Sequence, residues 1–280
     1  MNGHVHVLLW ISVALLSLNP RVHAAQQETA KYARFQVGQT TAYGIVEGAR
    51  VRQIAGDLFG EWSKTDTTYP LDQVKLLVPT VPSKVLALAG NYKSHLGDRK
   101  PPEHPEVFFK PPSCLVPPGG DIVLPKTTAN VHYEGEMVIV MGKRAKNVSV
   151  AEALNYILGV TCGNDVNARD WQKNDAQWWR AKGSDTFGPC GPFIVSGLHY
   201  DDLLLQLRVN GEAKQSARTS DLIHSVPQIV SWISQHVTLE PGDLIYTGTP
   251  GTTSALKPGD VVEVELEGVG VLRNSVVLAP

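Results

Sequence analysis

Two glutamates separated by one glycine stand at the start of an apolar run, in Val131-His-Tyr-Glu-Gly-Glu-Met-Val-Ile-Val140. Because side chains alternate across a strand, Glu134 and Glu136 are expected to point to the same face. The four residues after them are apolar, which predicts a buried strand. Adjacent carboxylates beside such a strand repel each other and lose hydration, and a hard divalent cation is the simplest compensation.

A third acid follows in a similar setting, because Asp165 lies near the end of the mostly apolar stretch 157–166. Three carboxylates and a few waters suit an octahedral oxygen site, of the kind that Mg²⁺ or Mn²⁺ prefers. The alternative for Glu134 and Glu136 is the solvated face of an edge strand. The spacing of the two glutamates does not by itself decide between these interpretations.

An apolar run of fourteen residues, Val5–Leu18, precedes small residues at Ala24 and Ala25. A membrane-spanning helix needs about 20 residues, so residues 1–25 are predicted to be a secretory signal peptide. The mature protein is then expected to be periplasmic or secreted, with no membrane association after cleavage. The run is preceded by no Lys or Arg. An uncleaved anchor, or a misassigned start codon that would leave the protein cytoplasmic, therefore stays open.

The charge is nearly balanced, with a formal net charge of −2 and no block of like charge. Nucleic acid and anionic membranes are therefore not expected as partners. Gly and Pro are frequent, at 25 and 19 residues, which indicates a protein rich in strands and loops. The cysteines show no C-x-x-C spacing, so a zinc site is not expected. We predict that Cys114, Cys162 and Cys190 are buried small residues, although an exported protein could pair two of them.

Two domains are predicted from the distribution of strands and prolines. Residues 26–80 are predicted to form a small β-rich N-terminal domain that ends in a proline-punctuated linker at 72–79. Residues 81–280 are predicted to form the main domain, with a mobile polar loop at 97–105 and a helix over 225–236. The expected strands are 32–37, 41–46, 49–54, 84–89, 131–140, 244–246 and 261–266.

Six motifs follow one another along the main domain: Gly90-Asn-Tyr-Lys-Ser-His95, Phe108-Phe-Lys-Pro111, His132-Tyr-Glu-Gly-Glu136, Asn164-Asp-Val-Asn-Ala-Arg-Asp-Trp-Gln172, Ala181-Lys-Gly-Ser-Asp-Thr-Phe-Gly-Pro189 and Thr247-Gly-Thr-Pro250. In identity, order and spacing they resemble the fumarylacetoacetate hydrolase family. The resemblance implies a mainly β fold with short helices (α+β), in which the catalytic domain is a mixed β-roll or sandwich. It also implies a homodimer and a Mg²⁺- or Mn²⁺-dependent site held by Glu134, Glu136 and Asp165.

Matched position by position, Lys182 falls on the family's active-site lysine, whose ammonium would stabilise developing negative charge. Arg169 and Gln172 fall on substrate-contact positions, and Arg169 could hold a carboxylate through two hydrogen bonds. The alternatives are a surface lysine in a turn at 182 and an ion pair between Arg169 and its neighbour Asp170.

The resemblance also assigns pocket positions outside these segments. Thr249 and the backbone amide of Gly248 match a carboxylate-binding loop, for which an ordinary turn is the alternative. The residues that follow, 251–254, are less rich in glycine than the family pattern. Phe108 and Lys110 match two further substrate-pocket positions.

His95 and Asp98 match a pair that activates water in hydrolases of the family. A spacing of three brings both side chains together if the segment forms a helical turn. The carboxylate would then fix the tautomer of the imidazole and raise its basicity. Asp is one methylene shorter than the Glu of similar hydrolases, and the alternative for His95 is a solvated loop residue.

Together these features predict a metal-dependent hydrolase that cleaves a C–C bond in a 2-oxo or 1,3-dicarbonyl carboxylate such as an acylpyruvate. His95 would activate water, and Lys182 with the metal would hold the enolate. The same site could instead decarboxylate an oxo-acid, isomerise a 2-hydroxy-diene-dioate, or hydrate or dehydrate an oxo-acid sugar. An exported, non-catalytic oxo-acid-binding protein is the alternative of a different class. Specificity is expected to depend on 97–105, 171–179 and the residues after Thr249.

Overall fold

Nineteen strands are found in the part of the chain that the computed structural model describes, residues 29–280. They outnumber the helices, which are short, and this confirms the predicted fold class. The predicted signal peptide at 1–25 lies outside the described residues. The strands are β1 (Ala30–Val37), β2 (Thr40–Glu47), β3 (Arg50–Gly56), β4 (Trp62–Pro70), β5 (Lys75–Leu76), β6 (Val85–Ala89), β7 (Glu106–Lys110), β8 (Leu115–Val116), β9 (Asp121–Leu124), β10 (Val131–His132), β11 (Gly135–Met141), β12 (Ile157–Asn164), β13 (Asn167–Ala168), β14 (Gly188–Ser196), β15 (Leu204–Val209), β16 (Glu212–Arg218), β17 (Leu244–Tyr246), β18 (Val261–Leu266) and β19 (Gly270–Leu278).

The longest helix agrees with the one predicted over 225–236, and it begins at a capping box. There the backbone N–H of Ser225 donates to Oε1 of Gln228 at 2.8 Å. Within residues 29–280, every helix is too short or too polar to cross a membrane. The α-helices are α1 (Lys93–Leu96), α2 (Arg169–Asn174), α3 (Trp179–Gly183) and α4 (Val226–His236), and the 3₁₀ helices are Leu71–Gln73, Pro112–Cys114, Ala153–Tyr156 and Thr219–Asp221.

The apolar run after Glu136 is continuous because β11 is buried on both faces. Met137, Ile139 and Met141 point into the largest core, which also contains apolar side chains of α4, β15, β18 and β19. Val138 and Val140 point the other way, into a second core shared with β6, β17 and β14. Because each face of β11 packs against a core, Met137–Met141 are all apolar, and the one acid of the strand, Glu136, lies near its N-terminal end.

Two main sheets surround the first core. The larger has twelve strands in the order β4-β3-β2-β1-β14-β12-β11-β17-β6-β7, with β5 added beside β1 and β8 beside β14. The smaller has the order β16-β15-β18-β19-β9, and a two-stranded ladder joins β10 to β13. Most neighbours are antiparallel, but β6 runs parallel to β17 and β9 runs parallel to β19.

The N-terminal strands continue the large sheet. β1 pairs with β14, with Ala30 opposite Ser196 and Tyr32 opposite Ile194. The segment 72–79, predicted to be a linker, instead carries β5, which pairs with β1 through Phe35 and Leu76. A short strand could not be distinguished from a linker here, because the prolines around it interrupt any alternating pattern.

All three cysteines are buried and free, as predicted. Burial raises the pKa of the Cys162 thiol to about 12, which keeps it protonated and unreactive.

Asp243 joins the turn before β17 to the residues that lead into β6. Its side chain is fully buried, at 0% exposure, and is paired with Nζ of Lys84 at 2.5 Å. The backbone N–H groups of Ser83 and Lys84 donate to Oδ1 at 2.9 and 3.0 Å, and that of Glu240 donates to Oδ2 at 2.8 Å. One carboxylate therefore fixes the relative position of the two parallel strands that approach the candidate site.

Asp243→Ala should lower the free energy of unfolding by about 1–3 kcal/mol or more, because it leaves several buried donors without an acceptor. Urea unfolding at equilibrium measures this, with Asp66→Ala as the matched control at an exposed position. The control should change stability by less than about 0.5 kcal/mol. Equal stability of both variants would contradict the role assigned to Asp243.

Candidate active site

Neighbouring strands bring polar residues to one end of the large sheet. β11 starts at Gly135, opposite Asn164 at the end of β12, so Glu134 and Asp165 become neighbours. The backbone N–H of Asp165 donates to the carbonyl of Glu134 at 2.8 Å. The parallel strands β6 and β17 end at the same edge, which brings residues 90–95 and 247–249 alongside.

Glu134, Glu136 and Asp165 form one buried cluster. Their exposures are 4%, 1% and 0%, so the alternative of a solvated edge strand is excluded. One carboxylate oxygen from each lies within 4.8 Å of the others. Oε1 of Glu136 is buried and has no hydrogen-bond partner among residues 29–280. An all-oxygen donor set with one unsatisfied buried oxygen fits a hard divalent cation such as Mg²⁺ or Mn²⁺.

The glycine between the two glutamates stands at a tightly packed position. A Cβ at Gly135 would lie 3.1 Å from two side-chain atoms of Leu207 and 3.3 Å from Oε1 of Gln215. The same Gln215 oxygen accepts a hydrogen bond from the N–H of Gly135 at 2.9 Å. A side chain at 135 would therefore be tightly packed against β15 and β16, and Leu207 or Gln215 would have to shift by a few tenths of an ångström to admit it.

Three cations compensate the buried acids. Nζ of Lys182, 3% exposed, lies 2.5 Å from Oε2 of Glu134 and is also bonded to Asp165. Lys110 lies 2.6 Å from Oδ1 of Asp165, and Arg169 lies 2.7 Å from Oε1 of Glu134. Each acid in these pairs is desolvated together with its counterion, which makes its burial possible.

The protonation states follow from this arrangement. Burial, followed by the charge of Asp165, raises the pKa of Glu136 well above its usual range. Burial would also raise the pKa of Asp165, but Lys110 and Lys182 outweigh it and lower that pKa. Burial opposes the charge on Lys182, yet Asp165 and Glu134 raise its pKa above the ordinary value. Lys182 is therefore a protonated ammonium, and the alternative of a surface lysine does not apply.

Lys110 was expected to line the substrate pocket, but it does not line the cavity described below. Its side chain is 0% exposed. Its Nζ donates to Asp165, to the carbonyl of Phe187 at 3.1 Å and to the carbonyl of Lys182. With its donors committed to these groups, Lys110 positions Asp165 and is not available to a ligand.

The backbone amide of Gly248 was expected to bind a carboxylate of the substrate, but it binds a glutamate of the protein. It donates to Oε2 of Glu136 at 2.7 Å, so the carboxylate it binds belongs to the protein. The hydroxyl of Thr249 donates to the carbonyl of Gly135 at 2.9 Å and accepts from Nε2 of Gln215 at 2.8 Å. The turn at 247–249 therefore orients the strand that carries Glu136. Thr249 also lines the cavity described below.

Arg169 does not pair with Asp170, whose Oδ1 accepts from the hydroxyl of Thr128 at 2.7 Å. Its guanidinium instead contacts Glu134, Oε1 of Gln172 at 3.2 Å and the hydroxyl of Thr253 at 2.8 Å. The structure thus joins Arg169 and Gln172 in a network that holds Glu134 in place. Sequence reasoning did not single out Thr253, because it lies 84 residues from Arg169 along the chain.

His95 lies in the cavity on α1, but no hydrogen bond joins it to Asp98 among the described residues. The helix ends at Leu96, and Gly97, with φ 59° and ψ −128°, turns the chain so that Asp98 is exposed. The imidazole Nδ1 instead lies 2.6 Å from the carbonyl oxygen of Gly251. Burial lowers the pKa of His95, with smaller opposing effects from Glu134 and Gly251.

A cavity of about 270 Å³ opens onto this cluster. Phe108 forms part of its wall, with its ring 5.4 Å from that of Trp178 and 5.5 Å from Nζ of Lys182. The cavity is also lined by Arg99, Lys173 and Trp178, which were not predicted individually. They belong to the segments 97–105 and 171–179, on which substrate specificity was expected to depend. The predicted residues that line the cavity are His95, Phe108, Glu134, Arg169, Gln172, Lys182 and Thr249.

Comparisons with known proteins place most of this chain in one family. The model of the fumarylacetoacetate (FAA) hydrolase C-terminal domain matches residues 84–277, and that of the Rv2993c-like N-terminal domain matches residues 30–79. Protein Rv2993c of Mycobacterium tuberculosis is 47% identical over 231 residues, which are 81% of this chain and 87% of that protein. The mitochondrial oxaloacetate tautomerase Fahd2a of Rattus norvegicus is 39% identical over 222 residues, which are 74% of this chain and 71% of that protein.

Among solved structures, a 2-hydroxyhepta-2,4-diene-1,7-dioate isomerase from Mycobacterium marinum superposes with a TM-score of 0.84 and 44% identity. The match covers 89% of this chain and 98% of that one. The family match thus extends over most of the chain in sequence and in fold. The chain belongs to the fumarylacetoacetate hydrolase family.

Proposed function

We propose that this protein is an enzyme that moves a proton at the carbon next to the oxo group of a 2-oxo acid, and so interconverts its keto and enol forms. The proposal depends chiefly on one observation: His95 lines the cavity, and Gly251 holds its Nδ1 while Nε2 has no hydrogen-bond partner among the described residues. The names of two relatives, an oxaloacetate tautomerase and a hydroxy-diene-dioate isomerase, describe reactions of this class.

His95 is the base in this proposal. A backbone carbonyl only accepts hydrogen bonds, so the contact with Gly251 requires the proton on Nδ1. Nε2 then carries a lone pair, and it has no hydrogen-bond partner within residues 29–280. Because burial lowers the pKa of His95, the ring is neutral near pH 7 and can accept a proton from carbon.

Lys182 and the three acids stabilise the 2-oxo oxygen of the substrate in this proposal. The ammonium of Lys182 is protonated and lines the same cavity, so it can stabilise negative charge that develops on the enolate oxygen. Glu134, Glu136 and Asp165 would hold a divalent cation, Mg²⁺ or Mn²⁺, through their carboxylate oxygens. When bound, the cation supplies Lewis-acid polarisation of the 2-oxo group.

The first test follows the loss of the enol absorbance of oxaloacetate in the presence of Mg²⁺. The wild-type protein should accelerate this loss, and Asp165→Asn should reduce the enzymatic rate by about 10²-fold or more, since it removes one carboxylate charge from the site. Asp66→Asn, at an exposed position, is the matched control. No acceleration over buffer with Mg²⁺ alone would reject the proposal.

Hydrolysis of an acylpyruvate is the second candidate, because the free Nε2 of His95 can also deprotonate water. Acetylpyruvate and water would then give acetate and pyruvate. Decarboxylation of oxaloacetate would give pyruvate and carbon dioxide. Product analysis separates the reactions, since tautomerisation consumes the enol without forming pyruvate from either substrate. Binding without turnover of either acid would favour a non-catalytic oxo-acid-binding protein.

His95→Gln should lower kcat for tautomerisation by about 10²–10⁴-fold, because it removes the base. Asp98→Asn should change kcat by less than about threefold, because Gly251 and not Asp98 fixes the tautomer of His95. Circular dichroism would verify that both variants are folded. A loss in Asp98→Asn as large as that in His95→Gln would contradict this assignment.

The pH dependence should follow the neutral form of His95. Because burial lowers its pKa, kcat/KM should be level near neutral pH and fall only below about pH 6.5, the ordinary pKa of histidine. A pH–rate profile measured with saturating metal provides the test. An acidic limb centred above about pH 6.5 would contradict a buried histidine as the base.

Glu136→Gln should weaken divalent-cation binding by about tenfold or more, because it replaces a carboxylate by an amide that cannot ionise, at a buried oxygen without a hydrogen-bond partner in residues 29–280. The thermal stability of the metal-free protein should change little. Calorimetric titration with Mn²⁺ measures the affinity, with Glu103→Gln as the exposed control. Unchanged Mn²⁺ affinity in Glu136→Gln would place the metal elsewhere.

A further inference from the structure

We propose that Arg99 and Lys173 form a second anion site in the catalytic cavity, which binds the distal carboxylate of a diacid substrate. The inference rests on the proposed function, since it assigns one end of the 2-oxo acid to the acid cluster and Lys182. It narrows the substrate class from 2-oxo acids in general to those with two carboxylates.

The charges around the cavity fall into two groups. Lys182 and Arg169 are committed to Glu134 and Asp165 by ion pairs. Arg99 and Lys173 line the same cavity, and neither forms an ion pair with an acid in the described part of the chain. Glu134 is the acidic residue that lines this cavity, and its charge is already neutralised by the first group. The cavity therefore holds excess positive charge that a second substrate carboxylate would balance.

Arg99 is held in place by the helix that carries the proposed base. Its Nε donates to the carbonyl of Leu96 at 3.2 Å, and one terminal nitrogen contacts the carbonyl of His95 at 3.4 Å. These contacts leave the other N–H groups of the planar fork free to bind a carboxylate. A guanidinium fixed beforehand loses little conformational freedom on binding, which favours recognition of one geometry.

Lys173 approaches from a separate element. It lies four residues after Arg169 on α2, so both side chains share one face of the helix. Arg169, Gln172 and Lys173 all line the cavity. These two exposed cations thus come from different segments, 97–105 and 169–174, and both line the same cavity.

Oxaloacetate and acetylpyruvate provide a matched pair of substrates. In acetylpyruvate a methyl group replaces one oxygen of the distal carboxylate, so the two acids differ in charge and little in shape. A carboxylate paired with Arg99 and Lys173 would favour oxaloacetate through charge-assisted hydrogen bonds. Two merely solvated surface cations would give no such discrimination.

The experiment compares kcat/KM for tautomerisation of the two acids in wild type, Arg99→Gln, Lys173→Gln and the double variant, all with saturating Mg²⁺. The wild type should prefer oxaloacetate. Arg99→Gln should reduce the ratio of the two kcat/KM values by about tenfold to a hundredfold, mainly through KM for oxaloacetate, and Lys173→Gln should reduce it less. Lys100→Gln, an exposed cation of the same loop that does not line the cavity, should keep the wild-type ratio.

Two results would overturn the proposal: a wild type without preference, or an equal loss for both acids in Arg99→Gln. If neither acid is turned over, the proposed function fails, and binding then tests the anion site by itself. Calorimetry with 2-oxoglutarate and 2-oxopentanoate, which differ by the distal carboxylate, serves this purpose. Tighter binding of 2-oxoglutarate that disappears in Arg99→Gln supports the site, and equal binding of both acids rejects it.

Discussion

Glu134, Glu136 and Asp165 place three acidic side chains out of water where β11 and β12 meet. Much of the surrounding structure compensates that burial. Positive charge comes from Lys110, Lys182 and the partly buried Arg169. The amide of Gly248 donates to Glu136, the acid that has no ion pair with these cations. Removing any of these partners leaves a charge or a lone pair buried without compensation, which costs more than an exposed ion pair is worth. The arrangement is stable as a unit, and it is suited to a cation because its ligands are already desolvated.

Backbone groups do much of the positioning that side chains were expected to do. The carbonyl of Gly251 fixes the tautomer of His95, and the amide of Gly248 orients Glu136. These contacts depend on the register of β17 and β6, which Asp243 secures at the opposite end of the strands. The geometry of the candidate site thus depends on strand pairing at the far end of β6 and β17.

The sequence predicted that the three acids lie together, because two of them are separated by a single residue. The predicted strand 131–140 is interrupted at 133–134, so Glu134 stands just before β11, yet it still lies in one cluster with Glu136 two residues on. The apolar run beside the two acids requires compensation. The partners of Lys110 and Gly248 could not be predicted in this way. Lys110 meets an acid 55 residues away and Gly248 meets one 112 residues away, so both contacts depend on tertiary packing. For Asp98 the helical-turn argument failed because the helix ends before it, at a glycine with positive φ.

The pairing of β1 with β14 has a consequence for how the chain can be divided. β14 is flanked by β12 on one side and by β1 on the other, so the N-terminal strands cover an edge that would otherwise be open. A protein cut down to the catalytic portion would present that edge as a template for pairing with other chains. The N-terminal strands thus cover this edge of β14, and a shortened protein would keep the acidic cluster but expose the edge.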